Sequence, residues 1–246
     1  MMSHPRFFHP GLTAGRAVLS PEESHHARTV LRCGVGNPVV LFDGRGGEAG
    51  ATITAVERDG VSVEVSRVVH RTFDRRIRLT LAVAMPRRNR QSFLFEKCTE
   101  LGVWSIWPMV CARSVVKPKP EGIDKWRRTA IEAAKQSERC WLPKIEAPQS
   151  FSDTLEKVSE FDTSIVTDTD ISFEPLSDCL LARGDMANLL VWIGPEGGLA
   201  PEEIEAARHA GAIGARLGSG VLRVETAAIT VAALAAVLGT HPQETR

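Results

Sequence analysis

The chain has 246 residues, and its 30 basic side chains balance its 30 acidic ones, so the formal net charge is zero. A hydrophobic content of 43% with 24% charged residues is typical of a soluble globular protein and excludes a wholly disordered, collagen-like or membrane-embedded chain. The charge is unevenly distributed, because residues 67–144 carry 18 basic and 7 acidic groups whereas residues 145–246 carry 6 and 16. A basic segment of this kind hints at an anionic partner.

Residues 1–70 are rich in short β patterns that are separated by glycine turns such as Asp43-Gly44 and Asp59-Gly60. Strands are predicted at 16–19, 39–42, 51–56 and 61–68. Ser20 followed by Pro21 predicts the start of one short helix. Short strands at close spacing favour a small barrel.

The pattern changes near residues 71–78, and from there strands alternate with helices. Strands are predicted at 79–85, 104–110, 164–167 and 189–193, and helices at 91–101, 124–138, 201–209 and 226–238. This alternation predicts an α/β domain with a parallel sheet flanked by helices. We therefore expect two domains, residues 1–73 and 74–246.

Cysteine usage and the apolar runs indicate the compartment. The five cysteines are well separated and form no CxxC pair, which predicts free thiols and no metal site. The first ten residues lack the apolar segment of a signal peptide. The longest apolar run, 227–238, is shorter than the roughly 20 residues that cross a bilayer. We expect a cytoplasmic protein without a membrane segment.

Two loops follow predicted strands in the second domain. The first is Gly194-Pro195-Glu196-Gly197-Gly198, and the second is the stretch 217–227, in which Arg223 and Glu225 precede the last helix. Ligands of open α/β sheets bind beyond the carboxyl ends of strands, and glycine lets the backbone approach them. The alternative for the first loop is an ordinary tight turn between a strand and a helix. The alternative for Arg223 and Glu225 is an exposed ion pair near a helix end.

Several ordered blocks resemble the RsmE family, the 16S ribosomal RNA (uridine N3) methyltransferases of the SPOUT superfamily. The main blocks are Ile193-Gly194-Pro195-Glu196-Gly197-Gly198-Leu199 and Leu217-Gly218-x-x-Val221-Leu222-Arg223-x-Glu225-Thr226-Ala227. Further matches are Pro5-Arg6-Phe7-Phe8, the stretch 25–32, the stretch 96–103, Arg113-Ser114-Val115-Val116 and the stretch 132–139.

The resemblance implies a PUA-like RNA-binding β-barrel followed by a SPOUT domain with a trefoil knot. It implies S-adenosylmethionine as cofactor and a homodimer, in which the helix 226–238 is either part of the interface or a buried core element. The cofactor contacts that it implies are Ile193, Gly194, Pro195, Glu196, Gly197, Gly198, Leu217, Gly218, Leu222 and Thr226.

Methylation at N3 requires that the N3 proton leave and that the negative charge on the uracil oxygens be stabilised. We expect Arg223 to supply this stabilisation or to contact the phosphate. Glu225 and Glu196 are candidates to accept the proton or to orient other groups, and a role in loop structure is the alternative for both. No metal is needed for this chemistry.

Contacts to RNA are expected from arginines in the barrel and in the basic segment, because guanidinium groups suit phosphates and bases. The candidates are Arg6, Arg28, Arg32, Arg87, Arg88, Arg90 and Arg139. A solvated surface charge is the alternative for each residue by itself. The partner is expected to be 16S rRNA or the assembled small ribosomal subunit. The competing hypotheses are a methyltransferase for another rRNA or tRNA site, a non-catalytic RNA-binding assembly factor and a small-molecule α/β enzyme.

Overall fold

The computed structural model describes residues 4–170, 172–184 and 186–239. Within them the chain forms two compact units. The first contains residues up to Phe73 together with Ile131–Leu142, and the second contains Asp74–Ala130 and the residues from Pro143 onward. The sequence predicted a boundary at 73/74 but not the return of the segment 131–142 to the first unit.

The first unit is built on a six-stranded sheet in the order β1-β3-β4-β5-β2, with β6 paired to β4. Its strands are β1 Arg6–Phe8, β2 Gly15–Val18, β3 Pro38–Phe42, β4 Gly47–Val56, β5 Val61–Val65 and β6 Val69–His70. Only β1 runs parallel to its neighbour. Helix α1, Pro21–His25, begins as predicted, since the Ser20 side chain accepts a hydrogen bond from the Glu23 amide at 3.2 Å.

The second unit is a parallel sheet in the order β10-β8-β7-β13-β11-β14-β12, with β9 paired to β8. Its strands are β7 Arg78–Ala84, β8 Ser105–Val110, β9 Lys144–Ile145, β10 Gln149–Ser150, β11 Thr163–Thr167, β12 Glu174–Pro175, β13 Asn188–Ile193 and β14 Ile213–Arg216. The helices of this part of the chain are α2 Arg88–Glu100, α3 Ile123–Gln136, α4 Phe151–Leu155, α5 Leu176–Leu181, α6 Pro201–His209 and α7 Val224–Leu238. Of these, α3 begins in the second unit and ends in the segment 131–142, which belongs to the first.

Helices cover both faces of this sheet. Alternate residues of β7 enter two different cores, because successive side chains of a strand point to opposite faces. Leu81 packs in the core formed with α2 and α7, and Ala82 packs in the core formed with α4 and α6. This arrangement explains why the central strands read as nearly continuous apolar runs, and it confirms the predicted α/β class.

Helix α7 has one buried face and one outer face. Val231 and Ala235 are buried in the core that α7 shares with β7 and α2, whereas Val237 is 70% exposed. Among the described residues no helix is long and apolar enough to cross a membrane.

Candidate functional site

The candidate site lies at the carboxyl edge of the parallel sheet. Because β7, β13, β11 and β14 are successive neighbours, the segments that follow them emerge side by side. The two loops singled out in the sequence follow β13 and β14, and β11 lies between those strands. Parallel sheets bind ligands at this edge.

The loop after β13 is tightly folded. A turn closes it, since the amide of Gly198 donates to the carbonyl of Pro195 at 2.8 Å. Gly198 has a φ of +71°, a conformation that glycine adopts at little cost. At Gly194 a Cβ atom would lie 2.8 Å from the amide nitrogen of Leu199, so only glycine fits there without a shift of the loop.

The segments after β13, β11 and β14 enclose a cavity of about 350 Å³. This volume lies within the range of small-molecule sites, which runs from about 300 to 1,000 Å³. Apolar side chains such as Leu217 and Leu222 line part of it, and backbone groups of the glycine loop line another part. The remaining walls include Val224 and Ala227 of α7.

Nine of the ten predicted cofactor residues line this cavity, namely Ile193, Gly194, Pro195, Glu196, Gly197, Gly198, Leu217, Gly218 and Leu222. Thr226 does not line it, and lies exposed on the first turn of α7. The cavity is also lined by Thr167, the last residue of β11, by Asp168 and Thr169, which follow that strand, and by Arg113, which follows β8. None of these four residues was predicted for the site, although polar residues at the end of a buried strand, as at 167–169, are a signal that the sequence carries.

Arg113 links the segment after β8 to the glycine loop by hydrogen bonds. Its Nη1 donates to the carbonyl oxygens of Gly197 at 3.0 Å and of Leu199 at 3.3 Å. Glu203 adds a second link, because its carboxylate accepts from the amides of Ala112 and Ala200, each at 2.8 Å. Ala200 has no side-chain acceptor at the start of α6, so Glu203 stabilises this helix end in its place.

The two predicted catalytic residues differ in accessibility. Arg223 is exposed and immediately precedes α7. Glu225 is 6% exposed, does not line the cavity and lies 3.5 Å from Arg90, measured from Oε1 to Nε. Its Oε2 is buried and has no hydrogen-bond partner in the described part of the chain. Oε2 therefore has no accessible surface for a substrate N–H, whereas Oε1 faces Arg90, and the role of Glu225 as proton acceptor stays a prediction.

Two of the predicted RNA contacts serve the first unit internally. The Arg6 side chain is 8% exposed, and its Nη1 donates to Glu48 at 2.7 Å. Arg6 therefore stabilises the first unit through Glu48, and its predicted contact to RNA stays a prediction. The Arg28 Nη1 donates to the carbonyl oxygens of Glu57 and Arg58 at 2.7 and 2.9 Å and so holds the turn between β4 and β5.

The other predicted RNA contacts are spread over both units. Arg32 is exposed in the first unit, with a left-handed φ of +52°. Arg139 is half-buried in the segment that returns to that unit, and its carbonyl accepts from Arg6 at 3.3 Å. Arg87 is exposed just before α2, Arg88 is the first residue of that helix, and Arg90 is 29% exposed at its first turn. These last three follow β7, the neighbour of β13.

The described part of the chain contains no cluster of potential metal ligands. No group of three or more His, Cys, Asp or Glu residues is placed there to hold an ion. The five cysteines are free and buried. Burial raises the pKa of the Cys98 thiol to about 12.

Comparisons with known proteins agree with this architecture. Residues 74–236 match the model of an RNA methyltransferase domain, and residues 19–66 match that of an RNA methyltransferase PUA domain. The chain is 30% identical to the ribosomal RNA small subunit methyltransferase E of Bacillus subtilis over 85% of each chain.

Two solved structures share the whole fold. A Legionella pneumophila protein, solved in complex with the bound cofactor SAM, superposes with a TM-score of 0.88 at 28% identity, and the match covers 98% of this chain and 100% of the other. A ribosomal RNA small subunit methyltransferase E from Neisseria gonorrhoeae, bound to S-adenosyl methionine, gives a TM-score of 0.87 at 27% identity, with 96% and 98% covered. The chain therefore belongs to the RsmE family of RNA methyltransferases, as the ordered sequence blocks indicated.

Proposed function

We propose that this protein is a methyltransferase that uses S-adenosylmethionine to methylate N3 of a uridine in the 16S rRNA of the small ribosomal subunit. The observation that carries the proposal is the cavity behind the glycine loop, in a chain that belongs to a family of rRNA methyltransferases. Relatives of 27–28% identity bind this cofactor in the same fold. The corresponding compartment is the cytoplasm.

The residues of the cavity fit the proposed cofactor. Leu217 and Leu222 offer apolar walls to a flat adenine ring, and the backbone of the glycine loop offers polar groups at close range. Asp168 and Thr169 add side-chain oxygens that suit ribose hydroxyls or an amino group. The cofactor supplies an electrophilic methyl group when it is bound.

The protein's own task is to prepare N3 of the uracil ring. N3 must lose its proton, and the resulting negative charge spreads onto O2 and O4. Donors that are already in place stabilise such charge more than mobile water does. Arg223 and Arg87 are exposed at this edge of the sheet, and Arg88 and Arg90 follow β7 there. These arginines are proposed to contact the target nucleotide and its phosphates.

Further RNA contacts are proposed for Arg32 and Arg139 in the first unit, which matches a PUA domain over residues 19–66. Guanidinium groups recognise RNA through phosphates and stacked bases, so these contacts make binding depend on salt. The proposed substrate is 16S rRNA or the assembled subunit.

A homodimer through α7 is part of the proposal. The helix buries one face in its own core and leaves the strongly apolar Val237 70% exposed on the other. Substituting Arg at Val237 is expected to convert a dimer to a monomer, as measured by light scattering during gel filtration. A wild-type protein that is monomeric at micromolar concentration contradicts this part.

Two experiments test the function. Calorimetry with S-adenosylmethionine should show one binding site per chain. Nucleoside mass spectrometry of 16S rRNA from a deletion strain, after incubation with the protein and cofactor, should show new 3-methyluridine. Cofactor binding with methylation of a different RNA favours the second candidate, a SPOUT enzyme for another rRNA or tRNA site. RNA binding without cofactor binding favours a non-catalytic assembly factor.

A further inference from the structure

Glu225 is a buried carboxylate whose hydrogen bonds are incomplete. It is 6% exposed, one oxygen makes the 3.5 Å contact to Arg90, and the other has no donor among the described residues. Burying a charged group with so few partners costs free energy, so this residue is poorly suited to stabilise the fold. A role toward Arg90 explains its presence better.

Arg90 does not line the cavity, but it is partly exposed and contacts Glu225, whose neighbour Val224 does line it. It lies in the first turn of α2, after β7, and β7 pairs in register with β13 as far as Val83 and Ile193. Its side chain is 29% exposed, compared with 7% for the side chain of Glu225. The first turn of α7 thus has two sides, since Val224 and Ala227 line the cavity and Glu225 between them faces Arg90.

We propose that Glu225 is a positioning residue that holds the Arg90 guanidinium at the mouth of the site, where Arg90 donates to the oxygens of the target uracil. This inference rests on the proposed function. A guanidinium has five N–H donors in a planar fork, so a carboxylate can fix one edge and leave the others for a ligand. The negative charge that develops on O2 or O4 when N3 loses its proton is what those remaining donors stabilise. The proton itself goes to solvent or to another base.

The test measures kcat and KM for RNA at saturating S-adenosylmethionine in the full-length protein and four variants. Arg90→Ala removes the donor, Glu225→Gln removes the charge that holds it, and the double variant measures their coupling. Glu100→Gln is the matched control, because Glu100 is an ion-paired glutamate at the other end of α2, 2.8 Å from Lys97. Melting temperature and calorimetric affinity for the cofactor are measured for every variant.

We expect Arg90→Ala to lower kcat about 100-fold, as removal of one transition-state donor does in other enzymes. Glu225→Gln should lower it by at least tenfold, and the double variant should be no worse than Arg90→Ala alone. Cofactor affinity should stay within twofold of wild type, since neither residue lines the cavity. The melting temperature of Glu225→Gln should equal or exceed that of wild type, and Glu100→Gln should behave as wild type.

Three results would overturn the inference. If the losses of the single variants multiply in the double variant, the two residues act independently. If Glu225→Gln is inactive while Arg90→Ala is active, Glu225 acts directly and not through Arg90. If the loss of activity follows a loss of melting temperature, the pair is structural. An inactive wild-type protein would instead contradict the proposed function, so the two failures can be told apart.

Discussion

Replacement of Gly194 by alanine tests whether the close packing of the glycine loop is needed for stability and for cofactor binding. A Cβ at this position would lie 2.8 Å from the amide nitrogen of Leu199, 3.0 Å from its Cγ and 3.1 Å from the carbonyl carbon of Gly198. Two of the three atoms are backbone, so the loop itself must move by several tenths of an ångström. Overpacking of this kind typically costs about 1–3 kcal/mol.

That cost corresponds to a fall in melting temperature of about 2–12 °C for a chain of this size. The displaced loop is a wall of the cavity, so we also expect affinity for S-adenosylmethionine to fall at least about tenfold, equivalent to about 1.4 kcal/mol. Calorimetry measures the affinity, and differential scanning calorimetry measures the melting temperature.

Gly218→Ala is the matched control. It makes the same chemical change in another wall of the same cavity, where a new Cβ has no atom within 4 Å. Its melting temperature should remain that of wild type, and any loss of affinity would then report contact with the ligand itself. Wild-type stability and affinity in Gly194→Ala would refute the close packing on which the argument depends.

Further substitutions and changes of pH test the contacts that support the site and the buried titratable groups. Arg113→Ala should weaken cofactor binding in calorimetry with little change in the fold, because the carbonyls of Gly197 and Leu199 lose their donor; unchanged affinity would contradict this. Glu203→Ala removes the acceptor of two backbone amides and should cost about 1–2 kcal/mol, or about 2–8 °C in melting temperature; an unaltered transition would contradict it. Burial raises the pKa of Glu48, but hydrogen bonds from Arg6 and Arg71 outweigh it and leave the pKa below the usual 4.5. Ionised Glu48 therefore stabilises the folded state above pH 4.5, and this contribution is lost as the pH falls through the lowered pKa. The free energy of unfolding, measured by urea titration, should fall less steeply with decreasing pH in Glu48→Gln than in wild type. All five cysteines should resist iodoacetamide in the native state and react in urea, because they are buried; burial also raises the pKa of Cys111 to about 12, and rapid native alkylation would contradict this.

The elements with strong local signals were predictable from the sequence. Helix 201–209 begins at a proline with two acidic residues behind it and ends before a glycine, and the structure has the same bounds. The short strands β1 and β12, of three and two residues, were not predicted. Such segments carry no periodicity of their own and are defined by the strands with which they pair.

The candidate site was predictable where one contiguous loop forms a wall, as the glycine loop does. Arg113 and Asp168 were not predicted, because they join the site only through the order of the strands. That order brings the ends of β8 and β11 to the same edge of the sheet as the end of β13. The burial of the Arg6 and Glu225 side chains was also not predictable from the sequence. An arginine or glutamate in a sequence does not reveal whether its partner is a distant residue or the solvent, and Arg6 pairs with Glu48, 42 residues away.

Methyl transfer to N3 of a uridine in 16S rRNA can be measured on the ribosomal subunit itself. Small ribosomal subunits from a strain that lacks this methyltransferase are incubated with the protein and isotopically labelled S-adenosylmethionine, and the nucleosides of the 16S rRNA are analysed by mass spectrometry. We predict labelled 3-methyluridine at about one per subunit, and its loss in Gly194→Ala at low cofactor concentration. A folded protein that binds the cofactor but leaves 16S rRNA unlabelled, or that labels another nucleoside, would contradict the account.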